Sequence, residues 1–211
     1  MFKKIGTTAV ILWISSTAAL ADTMLPYFGG ELGYDTGKWK LKDVTGVKTT
    51  FNSNGALGGL FAGLRWTLAP KFVVNTELFG NYSSTGTSSK TINISAHATS
   101  QASLRMKYSY GGSLMPGLKF NDAGMIYLRA GIIRSLFVLH QTIPPAGAGS
   151  NLSQTNVGGG QFGVGVQGDL NESWSARGEY DYVTYNSFTA FNNSISARDN
   201  QFKIGVMYNF Y

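Results

Sequence analysis

The sequence contains no cysteine, so no disulfide can help to hold it together. Charged residues are scarce at 13% of the chain, about half the ~25% of an ordinary soluble domain. Proline appears only five times. No apolar run reaches the ~20 residues that a membrane-spanning helix needs. These shortages argue against a disulfide-stapled secreted domain, a highly charged soluble protein and a helical membrane protein. The net charge of +6 comes from basic residues scattered along the chain rather than gathered on one face. A nucleic-acid partner is therefore not expected. What the sequence does have is 27 glycines and 13% aromatic residues. That mixture suits a membrane β-barrel, whose strands are apolar on one face and polar on the other.

The first residues read as an address. Met1-Phe2-Lys3-Lys4 is a basic start, residues 5–14 are apolar, and Ala19-Leu20-Ala21 precedes Asp22. This is the pattern of a secretory signal peptide with cleavage after Ala21. The expected organisation is a signal peptide over 1–21 and one domain over 22–211.

Beyond Asp22 the periodicity is two. In the stretch 174–182, Trp174, Ala176, Gly178, Tyr180 and Tyr182 fall on one face, and Ser175, Arg177, Glu179 and Asp181 on the other. Side chains alternate across a strand, whereas a helix would mix the two sets. Similar alternation predicts eight strands near 27–38, 55–68, 72–82, 102–120, 125–139, 157–170, 174–182 and 198–211. In the fourth, Leu104, Met106, Tyr108 and Tyr110 are expected outward, with Arg105, Lys107 and Ser109 inward. Arg134 falls on the outward side of the fifth strand, which places it at the far headgroup rim or beside a bulge.

Three connections are short and carry turn formers: 69–71, 121–124 and 171–173. Four are expected to be long and polar, near 39–54, 83–101, 140–156 and 187–197. Strict alternation of long and short puts all the long loops at one end. The expected fold is an all-β, eight-stranded antiparallel up-and-down transmembrane barrel. Its short turns would be periplasmic and its long loops extracellular, in a bacterial outer membrane.

The last strand contains Lys203, Gly205, Tyr208 and Phe210 at the spacing polar, Gly, aromatic, aromatic, with Tyr211 after it. This resembles the C-terminal assembly signal that barrel-assembly machinery recognises in outer-membrane proteins. Together with the segment 177–182, the chain resembles the eight-stranded family of OmpA-like barrels and opacity-type surface antigens. The resemblance spans roughly residues 22–211. It implies a barrel without the peptidoglycan-binding domain that OmpA carries after its own, and it says little about function.

The inward charges form a mixed set: Glu31, Arg65, Glu77, Arg105, Lys107, Lys119, Arg129, Asp169, Arg177, Glu179, Asp181 and Lys203. The interior of an eight-stranded barrel is just wide enough for side chains to fill. The set is expected to form a plug of paired charges, and the alternative is a narrow channel for ions or small solutes. Gly158 to Gly163 and Gly163 to Gly168 match a dinucleotide-binding spacing but open no helix, so no cofactor is expected. The only histidines, His97 and His140, fall in or near the long loops without a Ser–His–carboxylate spacing. No metal site and no enzyme are expected, with lipid modification as the lesser alternative. The expected role is structural and adhesin-like, with loops on a rigid scaffold meeting a host or cell-surface ligand. The other expected partners are outer-membrane lipid and lipopolysaccharide, whose phosphates Lys40, Lys42 and Lys48 could meet.

Overall fold

The computed structural model of the protein describes residues 24–42, 46–95, 98–121, 123–142, 150–190 and 193–210. The export segment, with Ala19, Ala21 and Asp22, lies outside these residues, as does Tyr211. The elements are β1 (Met24–Lys42), β2 (Lys48–Ala69), β3 (Phe72–Ser83), β4 (Gly86–Thr87), β5 (Lys90–Ser95), β6 (Ala98–Lys119), β7 (Gly124–Thr142), β8 (Ser150–Asp169), β9 (Trp174–Tyr185), β10 (Phe188–Ala190) and β11 (Asn193–Asn209). No helix among them is long and apolar enough to cross a membrane, and a barrel crosses with strands instead.

Eight strands form an antiparallel ring in the order β1, β2, β3, β6, β7, β8, β9 and β11. The ring closes because β1 pairs on both edges: Glu31 lies opposite Gly59 on β2 and opposite Gly205 on β11. Closure leaves no sheet edge in lipid, where an unpaired backbone group would cost several kcal/mol. The short strands β4, β5 and β10 belong to the outer connections. The opposite end is tied by tight turns. Phe120 N donates to Gly124 O at 3.1 Å and Leu170 N to Trp174 O at 2.7 Å. Asn171 Oδ1 accepts from the amides of Ser173 and Trp174 at 3.0 and 2.9 Å, a side-chain-closed turn.

Three strands, β1, β2 and β8, are much longer than expected, while β3 and β6 fall close to their expected bounds. β2 and β6 have 22 residues each and β8 has 20, where ~9–11 suffice to cross a bilayer. Most of what reads as long polar loop near 39–54 and 140–156 is therefore strand. The reason is an inversion of polarity along single strands. On β1, Phe28, Leu32 and Tyr34 face out while Glu31 and Asp35 face in. Farther along, Lys38, Lys40 and Lys42 face out while Trp39 and Leu41 face in. β2 repeats the inversion, with Phe51 inside and Thr50 and Asn52 outside, and β11 does so with Ile195 and Ala197 inside. A wall with apolar residues outside is in lipid, and a wall with polar residues outside is in water. The inversion marks where the barrel leaves the membrane and stands on as a water-soluble barrel with its own apolar core. Strand membership there is hard to see from polarity, because the faces exchange character half-way.

β6 holds a second departure. Its pairing with β7 shifts between Met106, opposite Phe137, and Ser109, opposite Ser135. Two residues, Lys107 and Tyr108, thus face one, Leu136. This β-bulge reverses the parity of the outer half of the strand. Leu104 and Met106 are buried inside and Arg105 and Lys107 are exposed outside, the reverse of the straight alternation.

Candidate functional site

Two regions concentrate chemistry: the interior at membrane depth and the outer wall above it. In the interior, Glu31 on β1, Glu77 on β3, Arg129 on β7, Arg177, Glu179 and Asp181 on β9, and Lys203 on β11 are all buried. Each occupies an inward position of its strand, so the ring geometry brings five strands' charges to one level. Arg129 Nη2 lies 2.6 Å from Glu77 Oε1, and its Nε lies 3.0 Å from Glu179 Oε2. Arg177 reaches Glu77 at 2.5 Å and Glu31 at 2.9 Å. Lys203 Nζ sits 2.7 Å from both Glu179 and Asp181, and 3.4 Å from Glu31.

Aromatic residues fill the space between these charges. The Arg177 guanidinium lies 3.7 Å from the centre of the Phe61 ring. Tyr27 donates its hydroxyl to Glu77 at 3.1 Å, and Tyr127 donates to Glu179 at 2.9 Å. In so dry a space each ion is stable only with its partners in place. Above this layer lie Asp35 and Asp199. They are held by neutral donors: Gln201 Nε2 donates to Asp35 at 3.2 Å, and the Trp39 indole N–H donates to Asp199 at 2.7 Å. Farther out, Trp39, Leu41, Phe51, Leu104, Met106, Phe137, Leu139 and Ile195 form one apolar cluster. Phe137 packs edge-on against Trp39 and Tyr185, with ring centres 5.2 and 5.0 Å apart. This apolar cap over the charged layer escaped the sequence reading. Its signal was present as alternation continuing through the supposed loops with the faces exchanged.

Not every expected interior charge joins the layer. Arg105 and Lys107 are exposed on the outer wall, because the bulge in β6 turns them away from the interior. Arg65 is buried at the turn end of the barrel, near half-buried Lys119 and Asp169, and makes no ion pair among the described residues. Of the assembly-signal residues, Lys203 is part of the charge layer. Tyr208 and Phe210 face outward, stacked with Phe28 and Trp174 at ring separations of 5.1 to 6.2 Å. His140 is exposed at the outer end of β7, while His97 and the proline-containing stretch at 144–149 lie outside the described residues.

The outer wall has two aromatic girdles. Trp66, Phe72, Phe120, Trp174, Tyr208 and Phe210 lie near the turn end, and Tyr34, Tyr82, Tyr108, Tyr110 and Tyr182 near the start of the inversion. Such girdles bracket the apolar band of an outer-membrane barrel. The model of the outer membrane protein β-barrel domain matches residues 7–210. The chain belongs to that family. The barrel is thus a bacterial outer-membrane protein.

Among solved structures it is similar to Ail, the attachment invasion locus protein of Yersinia pestis, in complex with the heparin analogue sucrose octasulfate. That likeness has 12% identity and a TM-score of 0.48, covering 88% of this chain and 99% of Ail. It is also similar to Neisserial surface protein A, at 15% identity and a TM-score of 0.47, covering 86% of this chain and 97% of the other. The outer membrane protease OmpT from Escherichia coli gives 9% identity and a TM-score of 0.55, over 88% of this chain and 97% of OmpT. The likeness to OmpT is one of fold. No curated protein sequence matches the barrel.

Proposed function

We propose that the barrel is an anchor and its outer surface the working part, a structural and interaction protein whose four outer connections meet a ligand outside the cell. One observation carries this reading: the interior is filled twice over, by the charge layer at membrane depth and by the apolar cap above it. A conducting path would need water through both, and burying the cap removes its aromatic rings from water at a gain that flooding would reverse. The same cap stiffens the part of the barrel that stands clear of the membrane. The outer ends of β1 and β2, β3 and β6, β7 and β8, and β9 and β11 thereby form a rigid stalk, of the kind on which binding segments are commonly carried.

The pore alternative is tested in the same experiment. The barrel is inserted into planar lipid bilayers, and cells displaying it are assayed for adhesion with each of the four segments shortened in turn. The expected outcome is a silent bilayer, with adhesion lost in at least one shortened variant that still resists heat in gel electrophoresis. Discrete openings altered by Glu77→Gln or Arg129→Met would replace this reading with the pore.

A further inference from the structure

Charge on the outer wall is one-sided. Among the described residues the buried carboxylates Glu31, Asp35, Glu77, Glu179, Asp181 and Asp199 all face inward, and Asp169 and Glu172 lie at the turn end. Among the described residues, every charged side chain that the outer half of the wall exposes is a cation. Three of them gather on β6 and β7. Tyr110 pairs across the strands with Arg134, the bulge residues Lys107 and Tyr108 face Leu136, and Arg105 pairs with Val138. Lys107, facing Leu136, is thus a diagonal neighbour of Arg134 at ~7–8 Å, while Arg105, opposite Val138, lies beyond Lys107 and about 13 Å from Arg134 at ~3.3 Å per residue, so that Lys107 stands between the two guanidinium-bearing residues. None of the three cations forms an ion pair with a described residue. Like charges held this close repel, yet the bulge itself turns Arg105 and Lys107 outward to join Arg134, just above the tyrosine girdle.

A groove of about 390 Å³ opens beneath them, lined by Tyr110, Ile132, Arg134, Gly158 and Asn186. Ile132 is 75% exposed, so the lower end of the groove faces lipid. Arg134 and Asn186 make its upper end polar. Gly158 pairs with Arg134 across the strands and leaves the groove open, because a β-carbon there would meet nothing closer than Asn186 at 3.7 Å. Cations above, aromatic hydroxyls at the border and an apolar channel below match a lipid with a phosphorylated head.

We propose that this face binds a phosphorylated glycolipid of the outer leaflet, its phosphate held by Arg105, Lys107 and Arg134 and one acyl chain lying in the groove at Gly158. The inference goes beyond the loop-borne role and needs only the membrane placement, so the two can fail separately. Guanidinium and ammonium groups bind phosphate by charge-assisted hydrogen bonds, which strengthen at the low-dielectric membrane border.

The test uses the purified protein in detergent micelles, with its thermal midpoint and binding followed as lipid is added. The probes are bisphosphorylated lipid A, the same lipid dephosphorylated, and phosphatidylglycerol. The bisphosphorylated form is expected to raise the midpoint by several degrees and the other two to raise it much less. Replacing Arg105, Lys107 and Arg134 together by Gln is expected to weaken binding about tenfold or more, as the sum of several modest ionic contacts. Lys71→Gln, which removes an exposed cation at the turn end of the barrel, is expected to leave it unchanged. Gly158→Leu, which fills the groove beside Arg134 and keeps all three positive charges, is expected to weaken binding of lipid A. Equal affinity in the Gln triple variant would overturn the proposal, as would equal responses to all three lipids. An unchanged affinity in Gly158→Leu would overturn the acyl groove.

Discussion

Arg177 shows how much a single side chain carries here. It holds Glu31 and Glu77 on two other strands and sits over the Phe61 ring, so it ties β9 to β1, β2 and β3 across the barrel. A paired ion in a dry interior adds little net stability, but removing Arg177 leaves the four buried carboxylates of the layer to share Arg129 and Lys203. Arg177→Met is therefore expected to lower unfolding stability in urea by about 3–5 kcal/mol. The double variant Glu31→Gln with Arg177→Met is expected to lose less than the sum of the two single changes, because the second change removes a carboxylate already short of one of its two cations. A single-variant loss under about 1 kcal/mol, in the range of exposed pairs, would mean that water reaches the layer.

At the scale of elements, the bulge in β6 decides which residues the outer part of the strand shows to water. Neighbouring positions should then respond in opposite ways. Leu104→Asp is expected to bury an unpaired carboxylate in the apolar cap and to cost about 3 kcal/mol or more. Arg105→Asp, on the exposed side, is expected to stay within about 0.5 kcal/mol. Urea midpoints of the two refolded variants check this, and the reverse ranking would mean that the strand runs straight. The alternation of β9 was plain in the sequence from Trp174 to Tyr182 because its faces keep their character there, whereas past Tyr182 the inward residues are Val183 and Tyr185. The outer half of β6 was not, since one inserted residue exchanges its faces and nothing local announces it. β1 and β2 were legible only where lipid makes the outward face apolar. Where water takes over, their Lys and Thr positions read as loop although the backbone stays paired.

For the whole molecule, the polarity inversion fixes how the barrel sits in its membrane, and the tryptophans report it. Trp66 and Trp174 lie on the outer wall in the girdle at the turn end, whereas Trp39 is wholly buried inside the part that stands above the membrane. In vesicles with bromine on the acyl chains, variants that retain Trp66 or Trp174 as the one barrel tryptophan should be strongly quenched. A variant that retains Trp39 should be quenched neither by those lipids nor by aqueous acrylamide. Lipid quenching of Trp39 would mean that β1 does not invert and that the barrel spans with a different register. The one-sided cationic wall is also a property of the whole molecule. Its residues lie far apart in the chain, on β1, β2, β6, β7 and β11, and meet only because the sheet closes.

The sequence by itself determined the strand period, the ring of eight, the end that carries the short turns, and the acidic and basic residues of the inner layer such as Glu77, Arg129 and Lys203. These follow from local alternation and turn chemistry, which each segment carries on its own. Only the tertiary structure decided which charges meet, that Arg105 and Lys107 leave the interior, and that Trp39, Leu41 and Phe137 cap it. A pairing partner, a bulge and the change of solvent along a strand are facts about two or more strands at once. A pattern of period two within one strand therefore cannot encode them.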